Sequence, residues 1–286
     1  MNSIRKVLLN MKFSLLLLVG SFCFVASYPT NGTESVYVQV PTRRNVVISP
    51  EEPVYLNAVR RSSRVVGGSN APRGMFNYMV RLHMLVPGGI ILCGGTLFSA
   101  THILTADHCI PSGTLNGIEA HLGVTQWNGP DHRVSQVGWF VRRGQGTNPF
   151  VDLAIFGLSS PVQFSDTIAP VGMPRHGQAN DFFVGQTGWI SGWGGVNDGW
   201  LKYIPVRYVT QGNCGTSNLM LCAAGRDSFN QNVVGGDSGG PIVIQTGSFH
   251  TLVGCVSFGF NNHIGGTHVP RFLQWITEVT GILFPQ

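Results

Sequence analysis

Beyond residue 65 the apolar positions fall in short stretches, β-branched or alternating with polar residues and broken by Gly and Pro: 78–85, 89–92, 102–105, 118–124, 134–142, 153–157, 185–190, 241–245 and 251–258. Runs of this length and period predict strands, and so many of them without helical periodicity between predict an all-β barrel or sandwich. One helical pattern stands out at 271–279. Pro270 suits its first turn, Phe272, Ile276 and Val279 share one face, and Gly281 is placed to stop it. The chain shows no internal repeat and no low-complexity tract.

The amino-terminal segment follows a different pattern. Arg5, Lys6 and Lys12 precede an apolar run at 13–26 and then Ser27, the three-part pattern of a secretory signal peptide cleaved after Ser27. An uncleaved anchor is the alternative, but Ser14, Gly20 and Ser21 interrupt the run and it is short for a bilayer. Met11 is a second candidate start. Residues 28–64 lack an apolar period, carry Pro29, Pro41, Pro50 and Pro53, and include the glycosylation sequon Asn31-Gly32-Thr33, so they read as an extended leader. The leader ends in Arg60-Arg61-Ser62-Ser63-Arg64 before Val65-Val66-Gly67-Gly68. That junction is either a basic linker before a strand or a processing site where a cut after Arg64 frees an ammonium on Val65. The organisation expected is a signal peptide at 1–27, an activation propeptide at 28–64 and one large domain at 65–286.

Composition fits a compact, turn-rich body, with 43% hydrophobic residues and 38 glycines in 286 residues. The formal charge of +5 suggests a basic protein until it is located. Residues 65–286 hold ten Lys/Arg and ten Asp/Glu, so the excess lies in residues 1–64 and no basic patch points to nucleic acid or an anionic membrane surface. Export also changes how the cysteines read. Cys23 leaves with the signal, and Cys93, Cys109, Cys214, Cys222 and Cys255 remain where disulfides persist, an odd set with one thiol unpaired.

The chemistry gathers around Gly235-Gly236-Asp237-Ser238-Gly239-Gly240-Pro241. A serine hydroxyl between glycines can approach a substrate closely, and the bare N–H groups beside it can bind an oxyanion. The same string also satisfies the nucleophile-elbow pattern and suits an ordinary surface loop. In Thr105-Ala106-Asp107-His108-Cys109 a histidine sits beside a cysteine, and a bridge from Cys109 back to Cys93 would fix its backbone. Consecutive Asp107, His108 and Cys109 match no zinc spacing. Asp152 opens the apolar run Leu153-Ala154-Ile155-Phe156, an awkward place for a carboxylate unless its charge is needed, although strand ends often carry one. A histidine that must hold one tautomer and become transiently cationic needs such an Asp. His108, Asp152 and Ser238 then supply base, orienter and nucleophile in that chain order.

On these motifs, with Ser191-Gly192-Trp193-Gly194, Leu221-Cys222-Ala223-Ala224-Gly225 and Val256-Ser257-Phe258-Gly259, the segment 64–286 resembles a chymotrypsin-fold (trypsin-like) secreted serine protease of the peptidase S1 family. The resemblance implies two packed six-stranded antiparallel β-barrels with a short C-terminal helix, and it removes the nucleophile elbow, which belongs to a fold of alternating helices and parallel strands. It implies a serine endopeptidase, a hydrolase made as a zymogen and activated after Arg64. In it Gly236 and Ser238 form the oxyanion hole, the Val65 ammonium pairs with Asp237, and Ser257 supports Asp152. A protein or peptide substrate, an Arg-specific activating protease and protein protease inhibitors are the implied partners, with no nucleic acid, membrane, cofactor or metal. Calcium in particular is not expected, because 121–133 lacks the family's paired Glu residues. The rival reading is a catalytically silent homologue that acts as a binding or regulatory protein.

The chain departs from the family mainly at the specificity pocket, lined by Asn232, Val233, Ser257, Phe258 and Gly259. Relatives that select Arg or Lys place an Asp where Asn232 stands, so small or apolar side chains are expected before the scissile bond. Val234 replaces a cysteine whose partner on the far wall, 259–266, is also missing, and the alignment there leaves open whether Ile264 or a glycine, Gly265 or Gly266, faces inward. A bridge between Cys214 and Cys222 would close a shorter loop than usual, and Cys255 is left as a buried thiol acting as a small hydrophobe.

Overall fold

The computed structural model describes residues 12–18, 21–28, 35–41, 67–144, 150–194, 199–215, 217–227 and 231–286. Arg64, Val65 and the sequon residue Asn31 lie outside them. In the amino-terminal segment, β1 (Lys12–Leu18), β2 (Ser21–Tyr28) and β3 (Ser35–Gln39) form an antiparallel ladder, and β4 (Ser69–Asn70) follows. The domain then supplies β5 (Met79–Val86), β6 (Gly89–Leu97), β7 (His102–Thr105), β8 (Gly117–Leu122), β9 (Arg133–Arg142) and β10 (Ala154–Leu158). After a connection come β11 (Thr187–Gly192), β12 (Lys202–Val209), β13 (Met220–Gly225), β14 (Pro241–Thr246), β15 (Phe249–Phe260) and β16 (His263–His268).

These strands make two closed six-stranded antiparallel barrels. The first runs β9-β10-β7-β6-β5-β8 and closes by pairing β8 with β9; the second runs β11-β14-β15-β16-β13-β12 and closes by pairing β11 with β12. Alternation fills each interior. Val80, Leu82, Ile103, Ile118, Ala120 and Phe156 share the buried inner face of the first barrel, and Ile190, Ile204, Val206, Leu221, Ile242 and Ile264 that of the second. Closure satisfies every interior ladder and removes exposed edges.

β3 lies outside the first barrel, against β9. The first half of β9 pairs with β8, and its second half is free on that side to pair with β3, as Tyr37↔Val141, Val38↔Phe140 and Gln39↔Trp139. Val40 continues the contact, buried and donating its N–H to the Gly138 carbonyl at 2.9 Å. The reading of 28–64 as lacking an apolar period missed this strand, whose short alternation of Val36, Val38 and Val40 spans too few residues to stand out.

The C-terminal helix α1 spans Leu273–Thr280, two residues later than the pattern suggests. Pro270 lies instead in a preceding 3-10 turn, Val269–Phe272, because its fixed φ and missing N–H suit a tight lead-in turn equally well. Gly281 takes φ 72° and caps the helix by donating to the Thr277 carbonyl at 2.8 Å.

Candidate active site

His108 sits in a single 3-10 turn, Asp107–Cys109, at the end of β7. The disulfide Cys93–Cys109 ties that turn to β6. Asp152 precedes β10, the neighbour of β7, which brings its carboxylate to the histidine across the sheet. Its Oδ2 lies 2.5 Å from His108 Nδ1, and its Oδ1 accepts the His108 backbone N–H at 2.9 Å. A carboxylate only accepts, so Nδ1 carries the hydrogen and Nε2 keeps its lone pair, the tautomer of a general base.

Asp152 is held from several directions. The Ser257 hydroxyl donates to Oδ2 at 2.5 Å, and it can do so because a bulge between Val256 and Phe258 turns Ser257 out of the β15–β16 ladder. The Thr267 hydroxyl accepts the Asp152 N–H at 3.2 Å and donates to its carbonyl at 3.0 Å. Burial alone would raise the Asp152 pKa; the His108 hydrogen bond and charge, with the Ser257 hydroxyl, outweigh it and hold the carboxyl below its usual range. Burial pushes the His108 ring toward neutrality, but the hydrogen bond and charge of Asp152, with the charge of Asp107, hold the imidazole above its ordinary value.

Ser238 belongs to the turn before β14, in the second barrel, and that turn is pressed against the first. Its carbonyl accepts the Gly94 N–H from β6 at 2.7 Å. Gly239 follows at φ 82°, and a Cβ there would lie 2.2 Å from Thr105 Oγ1 and 2.9 Å from the Ala106 nitrogen, two residues before His108. Only glycine permits both that backbone and that approach. The N–H groups of Asp237, Gly239 and Gly240 donate to the carbonyls of Val234, Val256 and Asp237. Those of Gly236 and Ser238, on either side of Asp237, donate to no main-chain carbonyl among the described residues.

Asp237 is fully buried. Among the described residues its partners are two main-chain groups, the Gly194 N–H on Oδ1 at 2.7 Å and the Val234 N–H on Oδ2 at 3.0 Å. Burial pushes its pKa up to about 6 although both N–H groups pull the other way. The segment that follows Val65 is already docked nearby. β4 pairs with β12, and the Gly67 carbonyl accepts from Gln231 Nε2 at 3.3 Å.

At the pocket, Asn232 Oδ1 accepts the Val233 N–H at 2.9 Å and reaches toward Gly259, where a Cβ would meet it at 2.4 Å. Ile264 pairs directly with Gly259 in the β15–β16 ladder, so the two share a face, and Ile264 is fully buried with Val233 in the second core. The partly exposed Phe258 ring lies over Gly265, whose Cβ would come within 2.3 Å of it. A second disulfide, Cys214–Cys222, closes a loop before β13, and the free Cys255 is buried, which pushes its thiol pKa well up. Two supporting residues have no motif of their own in the sequence: Thr267 clasps the Asp152 backbone and Arg142 grips Asp107, while Thr105, at the head of the histidine motif, donates its hydroxyl to the Gly94 carbonyl at 2.8 Å.

A family model described as Trypsin matches residues 65–277. Trypsin alpha of Drosophila erecta is 32% identical over 215 residues, 69% of this chain and 78% of the relative. Trypsin 5G1 of Aedes aegypti is 31% identical over 253 residues, 79% of this chain and 88% of the relative. The proclotting enzyme of Tachypleus tridentatus is 28% identical, with 76% of this chain and 66% of that protein covered. A solved structure titled HL collagenase superposes with a TM-score of 0.67 at 26% identity, over 77% of this chain and 100% of the other.

Proposed function

The chain belongs to the trypsin family and is a serine endopeptidase acting on protein substrates, and from that premise we propose that Ser238, His108 and Asp152 perform its chemistry. The observation that carries the assignment is the 2.5 Å contact from His108 Nδ1 to Asp152 Oδ2, made beside a Ser238 turn that is fastened to the same end of the first barrel. Ser238 Oγ attacks the peptide carbonyl while His108 Nε2 takes its proton, and His108 then returns the proton to the leaving amine. Asp152 keeps the ring in the required tautomer and stabilises its cationic form. The N–H groups of Gly236 and Ser238 receive the developing oxyanion, a contact typically worth roughly 3 kcal/mol per donor.

The enzyme is made for export as a zymogen, with the signal removed after Ser27, the leader carrying glycan on Asn31, and activation by a cut after Arg64. Among the described residues no helix is long and apolar enough to cross a membrane. Gly67 is anchored beside the pocket loop, and Val65 is two residues upstream, a reach of about 7 Å. A buried carboxylate with only main-chain donors is the group a new ammonium would neutralise, which supports pairing of Val65 with Asp237. Signal removal takes β1 and all of β2 but Tyr28, leaving β3 as the leader's hold on the domain.

The pocket takes an uncharged, small or apolar side chain. Asn232, Val233, Gly259 and Ile264 provide no anion for Arg or Lys, and Ile264 opposite Gly259 keeps the pocket shallow. Cleaved protein should react with an active-site-directed serine reagent and lose that reaction in Ser238→Ala. Undiminished labelling of the variant, or a strong preference for Arg in a panel of short peptides, would overturn the corresponding part of this reading.

A further inference from the structure

Adjacent strands of the first barrel, other than those leading into the triad residues, carry a second group of chemistry-bearing side chains. His83 on β5 stands directly opposite Glu119 on β8, and His121 follows two positions along β8, on the same face as Glu119. One nitrogen from each histidine and one Glu119 oxygen all lie within 4.8 Å of one another. The two imidazole rings are 4.0 Å apart between centroids, and His121 Nε2 is 3.5 Å from Glu119 Oε2.

The surroundings of these atoms are consistent with a shared ligand. His121 Nδ1 is 2.8 Å from Nε2 of His132. When Nδ1 donates its hydrogen there, the lone pair of His121 Nε2 faces Glu119, the arrangement by which an outer hydrogen bond orients a ligating imidazole. That Nε2 is buried and makes no hydrogen bond among the described residues, a costly state for a polar atom in a barrel wall. Trp127 covers the group, its ring stacked on His83 at 5.4 Å and 5.0 Å from His121, while the Arg81 guanidinium lies on Trp127 at 4.7 Å. The Glu119 side chain keeps 14% of its surface exposed, so an ion and a water can reach the group past it.

We propose that His83, His121 and Glu119 bind a zinc ion, with His132 as the positioning residue behind His121 and water as the fourth ligand. Two imidazoles and one carboxylate are a donor set for zinc or a similar borderline ion and a poor one for calcium or magnesium, which take oxygen. Tetrahedral zinc places its ligand atoms about 3.3 Å apart, close to the His121–Glu119 separation and attainable for His83 by a small side-chain rotation. The bound ion pins β5 to β8 and to the segment bearing Trp127 and His132, so its effect is stabilising rather than catalytic.

The test is calorimetric titration of the chelator-treated full chain with zinc sulfate, in a Ser238→Ala background that prevents self-digestion, with melting temperature and cobalt absorption as second readouts. One zinc per chain is expected, together with a higher melting temperature and a tetrahedral cobalt spectrum. Glu119→Gln and His132→Gln, both at partly exposed side chains, should each weaken zinc binding by about tenfold or more. His108→Gln, which removes the histidine of the proposed triad and no residue of the zinc group, should leave zinc binding unchanged. Absence of saturable one-to-one binding in a folded chain, or binding undiminished in both Glu119→Gln and His132→Gln, overturns the proposal.

Discussion

Arg142 clamps Asp107 with two parallel contacts, Nε to Oδ1 at 2.7 Å and Nη2 to Oδ2 at 3.0 Å, one residue before the histidine of the proposed triad. The pair holds an anion and a cation close to His108, and only their balance reaches the imidazole. Asp107→Asn removes a charge that stabilises the imidazolium and leaves Arg142 unopposed, so the acid limb of kcat/KM should move to lower pH. Arg142→Gln should move it to higher pH. It should also cost about 2 kcal/mol in urea unfolding, because Asp107 is left buried without its partner. Shifts of the same sign in both variants would show that the pair acts through backbone geometry rather than charge.

The buried Asp237 carboxyl ties stability to pH. Its folded pKa of about 6 exceeds the ordinary 3.8, so the folded precursor is favoured by protonation. That contribution is full below pH about 4 and is lost as pH rises through 6, by about 3 kcal/mol in all. In a Ser238→Ala background, uncleaved chain should therefore lose stability relative to Asp237→Asn across that window. Cleavage after Arg64 should abolish the decline by supplying the Val65 ammonium. Equal pH slopes before and after cleavage would sink the pairing.

Ile264→Ala should deepen the pocket. The lost side chain costs about 3 kcal/mol of stability from a buried site. The same change should raise kcat/KM for peptides with Phe before the scissile bond, relative to Ala, by about tenfold. An unchanged ratio would place Ile264 outside the pocket.

Residues 28–64 should stay with the domain after activation, although they contain no cysteine to tether them. Three backbone pairings to β9 hold the strand, aided by the Tyr37 hydroxyl on the Val279 carbonyl at 2.9 Å and by buried Val40. Gel filtration of cleaved protein should show the leader eluting with the domain, and Val40→Asp should release it. A wild-type leader that elutes alone after cleavage contradicts this.

Much of the architecture was legible in the chain because strong β formers marked nine of the twelve barrel strands. β12, β13 and β16 were not, for compositional reasons: Pro205 interrupts the first, the second is MLCAAG, and the third carries Gly265 and Gly266. Those glycines make room for the Phe258 ring of β15 and the Ile242 side chain of β14, a demand set by other strands. At the site, His108, Asp152 and Ser238 lie in local motifs of their own. Arg142 and Thr267 do not, since each acts on a residue far along the chain, and the His83–Glu119–His121 group exists only through the register of β5 against β8.

The hydrogen bond from Gly94 to the Ser238 carbonyl joins one barrel to the other at the nucleophile itself. His108 and Asp152 belong to the first barrel and Ser238 to the second, so either barrel folded alone holds only a fragment of the machinery. On the proposed triad, docking of the two halves is a precondition for activity that a cut after Arg64 cannot replace, so a chain with one misfolded half stays inert whatever happens to its leader.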